Sequence, residues 1–160
     1  MDDYIELLNQ TDNSLDPSAA HTIHTVLQFF MKRYHLDDAM LTVLVVDPDT
    51  IRELNWQYRG KNTPTDILSF GQYTDLEEIS AAQAAGEPVH VGDLVLCLEE
   101  VRENCREHFV DFHEETARLI IHGMLHIIGK VHQSYDASEE MLITQEQLLS
   151  EYVAARSAEN

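Results

Sequence analysis

Positively charged side chains are scarce in this sequence. Ten lysines and arginines face 29 aspartates and glutamates among 160 residues, which gives a formal net charge of −19. This balance disfavours broad adhesion to DNA or to an anionic membrane, because such surfaces attract basic proteins. An anionic substrate would have to be bound by a metal ion or by a local cluster of the few bases. One such cluster is present, since Arg52, Arg59 and Lys61 fall within ten residues.

The sequence also lacks the features of secreted and membrane proteins. Its two cysteines, Cys97 and Cys105, form no CxxC pair and indicate no disulfide framework. The first residues contain neither the basic nor the apolar region of a secretory signal. No apolar run reaches the roughly 18 residues of a membrane span. We therefore expect a cytoplasmic protein without a membrane partner.

Short apolar strand patterns alternate irregularly with helical ones. The strand patterns cover residues 4–8, 41–46, 66–70 and 92–98. The helical patterns cover residues 17–34, 48–60 and 99–108 and begin again at Asp111 and at Ser138. Residues 71–91 are expected to form a variable loop with a helical turn near 76–85, and residues 154–160 a frayed tail. The length suits one domain. The sequence thus predicts a single α+β domain, 1–160, in which about five helices pack on a small mixed sheet of about four strands.

Residues 122–132 read H-G-M-L-H-I-I-G-K-V-H and begin within the helix that starts at Asp111. That helix is apolar almost all round, which is typical of a buried central helix. His122 and His126 are four residues apart, so they share one helix face. His132 joins them only if the chain turns back, because six more helical residues would rotate it by roughly 240° and move it about 9 Å along the axis. Gly129 stands where that turn is needed.

Three histidines with one coordination position left open are the arrangement of a catalytic metal site. Zinc is the leading candidate, and nickel, copper and iron also bind imidazole. The spacing overlaps the metzincin peptidase pattern H-E-x-x-H-x-x-G-x-x-H, but Gly123 replaces the glutamate that acts as general base there. A peptidase is therefore disfavoured, although a hydrolase of another substrate stays open as an alternative.

Three blocks in order resemble the YbeY-type bacterial endoribonucleases of ribosomal RNA maturation. Residues 122–132 are similar to that family's H-G-x-L-H-x-x-G-x-D-H. Residues 55–70, N-W-Q-Y-R-G-K-N-T-P-T-D-I-L-S-F, are similar to its N-x-x-Y-R-x-K-x-x-P-T-D-V-L-S-F. Residues 92–96, G-D-L-V-L, are similar to its G-D-I-V-I strand.

The resemblance implies a metal-dependent, single-strand-specific endoribonuclease that acts in 16S rRNA 3′-end processing and ribosome quality control. It implies zinc held by His122, His126 and His132, and it makes Arg59 the residue expected to contact RNA phosphate, with Lys61 assisting. Arginine suits this role because its guanidinium binds phosphate oxygens bidentately. Single-stranded rRNA and the ribosome or its proteins are the implied partners. A purely structural alternative pairs Arg59 with Asp66.

Two positions depart from the family pattern. Val131 stands where the family has an aspartate before the third histidine, and Asp136 is the nearby acid that could replace it. Gly71 replaces a proline after the Ser-Phe pair.

A non-catalytic alternative, a ribosome-assembly or RNA-binding factor with structural zinc, also stays open.

Overall fold

The computed structural model of the chain describes residues 4–159, and these form one α+β unit. Four strands, β1 to β4 in chain order, cover Ile5–Asn9, Ala39–Val45, Ile67–Gly71 and Val89–Leu96. Six helices, α1 to α6, cover Pro17–Arg33, Pro48–Arg59, Leu76–Ala84, Leu98–His108, Phe112–Ile127 and Glu140–Glu159. No helix among the described residues is long and apolar enough to cross a membrane.

The sheet is mixed, with the strand order β1-β2-β4-β3. The pairs β1–β2 and β2–β4 are parallel, and β3 runs antiparallel to β4. The prediction of a small mixed sheet is confirmed. β3 is an edge strand, and the residues that lead into and out of it lie beside the helix that carries the histidines.

Helix α5 is the central helix that the sequence predicts. It packs against β3 and β4 on one side and against α1 and α6 on others. Its side chains Ile120, Ile121, Met124 and Leu125 are fully buried. Gly123 lies on the sheet side, where a Cβ atom would come within 2.8 Å of Leu94 Cδ2 and 3.2 Å of Ile67 Cδ1. The missing side chain lets this helix approach the sheet closely.

Helices α1 and α2 each begin after an aspartate that caps the helix. The Asp16 carboxylate accepts a hydrogen bond from the Ser18 backbone N–H at 3.1 Å, and Asp47 accepts one from Thr50 at 2.8 Å. Each aspartate is followed by a proline at the first helical position, which suits that position because it needs no N–H donor.

Most predicted boundaries agree with the structure to within two residues, and three predictions differ from it by more. Residues 76–84 form a full helix, α3, because the Asp75 carboxylate caps it through the Glu78 N–H at 2.9 Å; this makes six helices instead of about five. Strand β4 begins at Val89 rather than Gly92, since Val89 and Val91 are also buried. Helix α6 continues to Glu159 where a frayed tail was expected, and Asn160 lies outside the described residues. The Tyr152 hydroxyl accepts a hydrogen bond from Arg156 at 3.0 Å, which favours this longer helix.

Candidate metal centre and cleft

Helix α5 holds two histidines one turn apart. The Nε2 atoms of His122 and His126 are 3.2 Å apart, and the two ring centroids are separated by 4.7 Å. Both side chains are half-buried at the side of α5 that faces β3 and α6. The i, i+4 spacing therefore brings two imidazoles together as the sequence predicts.

The chain after α5 turns back at Gly129. Its φ of +97° is a conformation that side chains disfavour, and a Cβ atom there would lie 2.7 Å from the Thr74 carbonyl oxygen. The Lys130 N–H donates to the Leu125 carbonyl at 2.9 Å, which closes the helix end. His132 is thereby returned to the other two histidines, and one ring nitrogen from each of the three lies within 4.8 Å of the others.

Each imidazole is oriented by a hydrogen bond at its other nitrogen. The His126 Nδ1 is 3.1 Å from the Lys130 carbonyl, and the His132 Nδ1 is 3.0 Å from the Ser134 carbonyl. A carbonyl only accepts, so these two Nδ1 atoms carry the proton and their Nε2 atoms present lone pairs.

Gln145 on α6 orients the third imidazole. Its Oε1 lies 2.7 Å from the His122 Nδ1, while its Nε2 donates to the Glu146 carboxylate at 3.1 Å. Because Glu146 requires a donor, the amide oxygen must be the atom that faces His122. His122 therefore also presents its Nε2 lone pair to the cluster. Outer hydrogen bonds of this kind are typical of histidines that bind metal ions.

A short network holds Gln145 and Glu146 in place. Arg118 on α5 donates to the Glu146 carboxylate at 3.0 Å and lies 3.4 Å from each of the carboxylates of Glu114 and Glu115. These three acids are therefore occupied by one guanidinium. The arrangement connects the start of α5 to the α6 residue that orients His122.

The pKa values of His122 and His126 favour the neutral imidazole that binds metal. Burial lowers the pKa of His122, and the charges of His132 and Arg59 act in the same direction. Burial, followed by the charges of His122 and His132, lowers the pKa of His126 to about 4. Three imidazoles whose ring nitrogens converge in this way fit a divalent metal ion of intermediate softness.

The cluster lies in a cleft of about 1030 Å³ that also contains Arg59 and Lys61. Arg59 is exposed at the end of α2, and its side chain forms no ion pair or hydrogen bond within residues 4–159. The expected alternative, in which Asp66 pairs with Arg59, is not seen; the Asp66 carboxylate instead accepts from Asn104 at 3.3 Å. The loop after α2 is fixed by Asn55, whose Nδ2 donates to the Thr63 carbonyl at 2.8 Å.

Asp136, the acid that could replace the family aspartate at Val131, does not line the cleft. Val131 is 76% exposed. Asp136 accepts hydrogen bonds from the Ser138 N–H and hydroxyl at 2.8 and 2.7 Å, which also lowers the pKa of Asp136, and it does not line the cleft. Asp136 therefore does not replace the family aspartate in this structure.

Sequence reasoning missed three residues of this site. Gln145 lies in the buried stripe of α6 with Met141 and Leu148, and the signal was a polar residue at an apolar position. Tyr58 and Tyr135 also line the cleft. The signal for Tyr58 was its match to the tyrosine of the N-x-x-Y-R block, whereas nothing in the local sequence distinguishes Tyr135 from an ordinary surface tyrosine.

Comparisons with known proteins agree with these observations. The sequence profile of the family described as "Endoribonuclease YbeY" matches residues 6–153. The chain is 34% identical over 154 residues to an "Endoribonuclease YbeY" of Bacillus velezensis, covering 96% of this chain and 98% of that protein. It is 39% identical over 118 residues to the protein of the same name from Borreliella burgdorferi, covering 72% and 76%. The solution structure of TM1509 from Thermotoga maritima superposes with a TM-score of 0.63 at 27% identity, covering 97% of this chain and 93% of that one.

Proposed function

The chain belongs to the Endoribonuclease YbeY family, and from this membership we propose that it is a metal-dependent endoribonuclease specific for single strands. We propose that it acts in 16S rRNA 3′-end maturation and in ribosome quality control. The observation that carries the proposal is one cleft that holds a three-histidine cluster and Arg59, whose guanidinium has no ion-pair partner among residues 4–159. Such an arginine can bind a phosphate group of the substrate. Because the proposed substrate is ribosomal RNA, we propose that the protein acts in the cytoplasm.

Zinc is the proposed ion, held by His122, His126 and His132. The 3.2 Å between the Nε2 atoms of His122 and His126 supports it. Two nitrogens bound to one tetrahedral ion at about 2.0–2.1 Å are roughly 3.3 Å apart. Nickel has the same preference for imidazole and is the alternative. The ion would supply Lewis acidity at the phosphodiester that is cut.

The residues of the chain bind and orient the strand. Arg59 binds non-bridging phosphate oxygens and stabilises the charge that develops on them as a water molecule adds to phosphorus and the bond to the departing ribose oxygen breaks. Lys61 adds a second positive charge two residues away in the same cleft. Gln145 and the carbonyls of Lys130 and Ser134 keep the three imidazoles in the required tautomer.

The excess of acidic residues supports ribosomal proteins as further partners. A net charge of −19 repels the RNA phosphates outside the cleft and attracts basic proteins. Recruitment through such proteins would bring the cleft to an rRNA end without a broad basic surface on this chain.

The test is cleavage of a labelled single-stranded RNA that contains the 16S 3′ end, with a fully duplexed form for comparison. Arg59→Glu and His126→Ala are compared with Arg106→Glu, an exposed arginine outside the cleft. We expect wild type to cleave the single strand and not the duplex. The cleavage rate of Arg59→Glu should fall about 100-fold with its metal content unchanged. His126→Ala should lose both metal and cleavage, and Arg106→Glu should keep full activity.

Two results would contradict the proposal. If Arg59→Glu keeps its metal and cleaves as fast as wild type, the phosphate role of Arg59 is wrong. If highly purified, metal-loaded wild type never cleaves the single strand, the chain is a binding or assembly factor instead.

A further inference from the structure

Two tyrosines stand exposed on the walls of the cleft that holds the histidine cluster. Tyr58 is 59% exposed and Tyr135 is 77% exposed, and both line this cleft. Tyr58 belongs to the wall formed by the end of α2, next to Arg59. Tyr135 belongs to the loop between α5 and α6 that carries His132. The cluster thus has one accessible aromatic ring on the Arg59 side and another on the His132 side.

Both rings are held by a neighbour that leaves a large part of their surface open. The Tyr58 ring packs edge-to-face on Phe70, with centroids 5.1 Å apart and planes at 69°. The Tyr135 ring lies 4.7 Å from the His132 ring at 59°. A ring that is oriented in advance loses less conformational freedom when a planar ligand stacks on it.

Few cations are left in the cleft to bind phosphates. Arg59 and Lys61 line it without a carboxylate partner in the described part of the chain, whereas Arg118 is occupied by Glu114, Glu115 and Glu146. About two phosphate contacts would give a salt dependence of only about −1.4 in log affinity against log salt for a single strand. Two side-chain cations and one metal ion leave room for an uncharged contribution to RNA affinity, and the exposed rings offer base stacking.

We propose that Tyr58 and Tyr135 stack on two unpaired bases of the bound strand, one on each side of the phosphodiester that is cut. This rests on the proposed endoribonuclease function. It gives a physical reason for single-strand specificity, because a base within a duplex has no free face to offer. It also predicts tolerance of sequence, since every base has a face that can stack.

Trp56 provides a matched control for this inference. It lies on the same helix as Tyr58 and is equally exposed, at 59%, but it does not line the cleft. A general effect of removing a surface aromatic residue from α2 would therefore appear in Trp56→Ala as well as in Tyr58→Ala.

The experiment uses metal-loaded full-length protein and an RNA dodecamer with a single 2-aminopurine, moved one position at a time. Stopped-flow fluorescence reports stacking and binding before the strand is cut. In wild type we expect a fluorescence change at two separate positions. Tyr58→Ala should abolish one change and Tyr135→Ala the other, each with roughly tenfold weaker binding. Tyr58→Phe and Tyr135→Phe should restore both signals, and Trp56→Ala should match wild type.

The outcomes separate this inference from the function on which it rests. If both alanine variants bind and report as Trp56→Ala does while wild type still cleaves the single strand, the stacking role is wrong and the nuclease function stands. If the phenylalanine variants fail to rescue, the hydroxyl groups and not the rings matter, and stacking is overturned. If wild type neither binds nor cleaves single-stranded RNA, the proposed function fails, and the inference fails with it.

Discussion

The side-chain oxygen of Gln145 on α6 lies 2.7 Å from Nδ1 of His122 on α5, across 23 residues of sequence. Gln145 is fixed in turn by its hydrogen bond to Glu146. The orientation of the His122 imidazole on α5 therefore depends on a helix that contributes no histidine to the cluster.

Gln145→Met should weaken metal binding about 10–100-fold, because it keeps the size of the side chain and removes the acceptor that fixes the His122 tautomer. Gln145→Glu retains an acceptor and should bind metal far better than Gln145→Met. A competition titration with a chromogenic chelator measures both affinities, and the spectrum of the cobalt-substituted protein reports the ligand geometry.

Gln147→Met is the control for this prediction, since Gln147 lies on the same helix and is exposed. Equal metal affinity in Gln145→Met and Gln147→Met would show that the hydrogen bond to His122 has no role in the site.

Gly129→Ala should both destabilise the protein and displace the third histidine. The alanine Cβ would meet the Thr74 carbonyl oxygen at 2.7 Å and the Asp75 Cα at 2.9 Å, and neither backbone atom moves easily. Gly86→Ala is the matched control, because Gly86 also has a positive φ, +77°, but open space around it.

Gly86→Ala should lose only the free energy needed to hold an alanine in the left-handed backbone conformation, about 1–2 kcal/mol. Gly129→Ala should lose more stability in urea denaturation and should also bind metal more weakly. An equal loss in the two variants, with unchanged metal affinity in Gly129→Ala, would contradict the tight turn as the cause.

The chelator-treated protein should lose stability as the pH falls. Burial and the neighbouring histidine charges lower the pKa of His126 from its usual 6.5 to about 4. Between these two pH values the unfolded chain binds a proton at His126 and the folded chain does not. The free energy of unfolding therefore carries no penalty from His126 above pH 6.5, and it declines as the pH falls toward 4. Urea midpoints at a series of pH values measure this. His126→Asn, which has no titrating group at this position, should show a shallower decline of stability with falling pH. If wild type and His126→Asn lose stability equally, His126 is not the cause of the decline.

Gly123→Glu restores the peptidase pattern in sequence and should not produce a peptidase. The new Cβ would overlap Leu94 and Ile67, side chains packed in the core, and the expected loss is about 1–3 kcal/mol. Gly123→Ala separates the added Cβ from the added carboxylate. Thermal unfolding and a casein assay measure the two effects. A variant as stable as wild type that hydrolyses casein would contradict this packing argument.

Features that depend on neighbouring residues could be predicted from the sequence. The caps of α1 and α2 are formed by Asp16 and Asp47 through hydrogen bonds to residues two or three positions away. The spacing of His122 and His126 and the turn at Gly129 are equally local, and the structure brings all three histidines together. That these histidines bind metal and that Arg59 binds phosphate stay predictions.

Features that depend on distant residues could not be predicted in the same way. Gln145 is distinguished only by its contact with another helix, and the cleft position of Tyr135 depends on where the loop after Gly129 leads. The start of β4 at Val89 was missed because its pairing with Ala39 on β2 lies fifty residues away in sequence. Tertiary contacts of this kind are absent from local patterns.

The close approach of α5 to the sheet at Gly123 has a consequence for the peptidase motif. Two classes of hydrolase share the same histidine spacing, yet here the position that would carry the peptidase carboxylate faces the side chains of Leu94 and Ile67. A mutation that supplied that carboxylate would direct it toward the sheet and would require these two side chains to shift. A single substitution therefore completes the peptidase motif in sequence without placing its carboxylate in an open cleft.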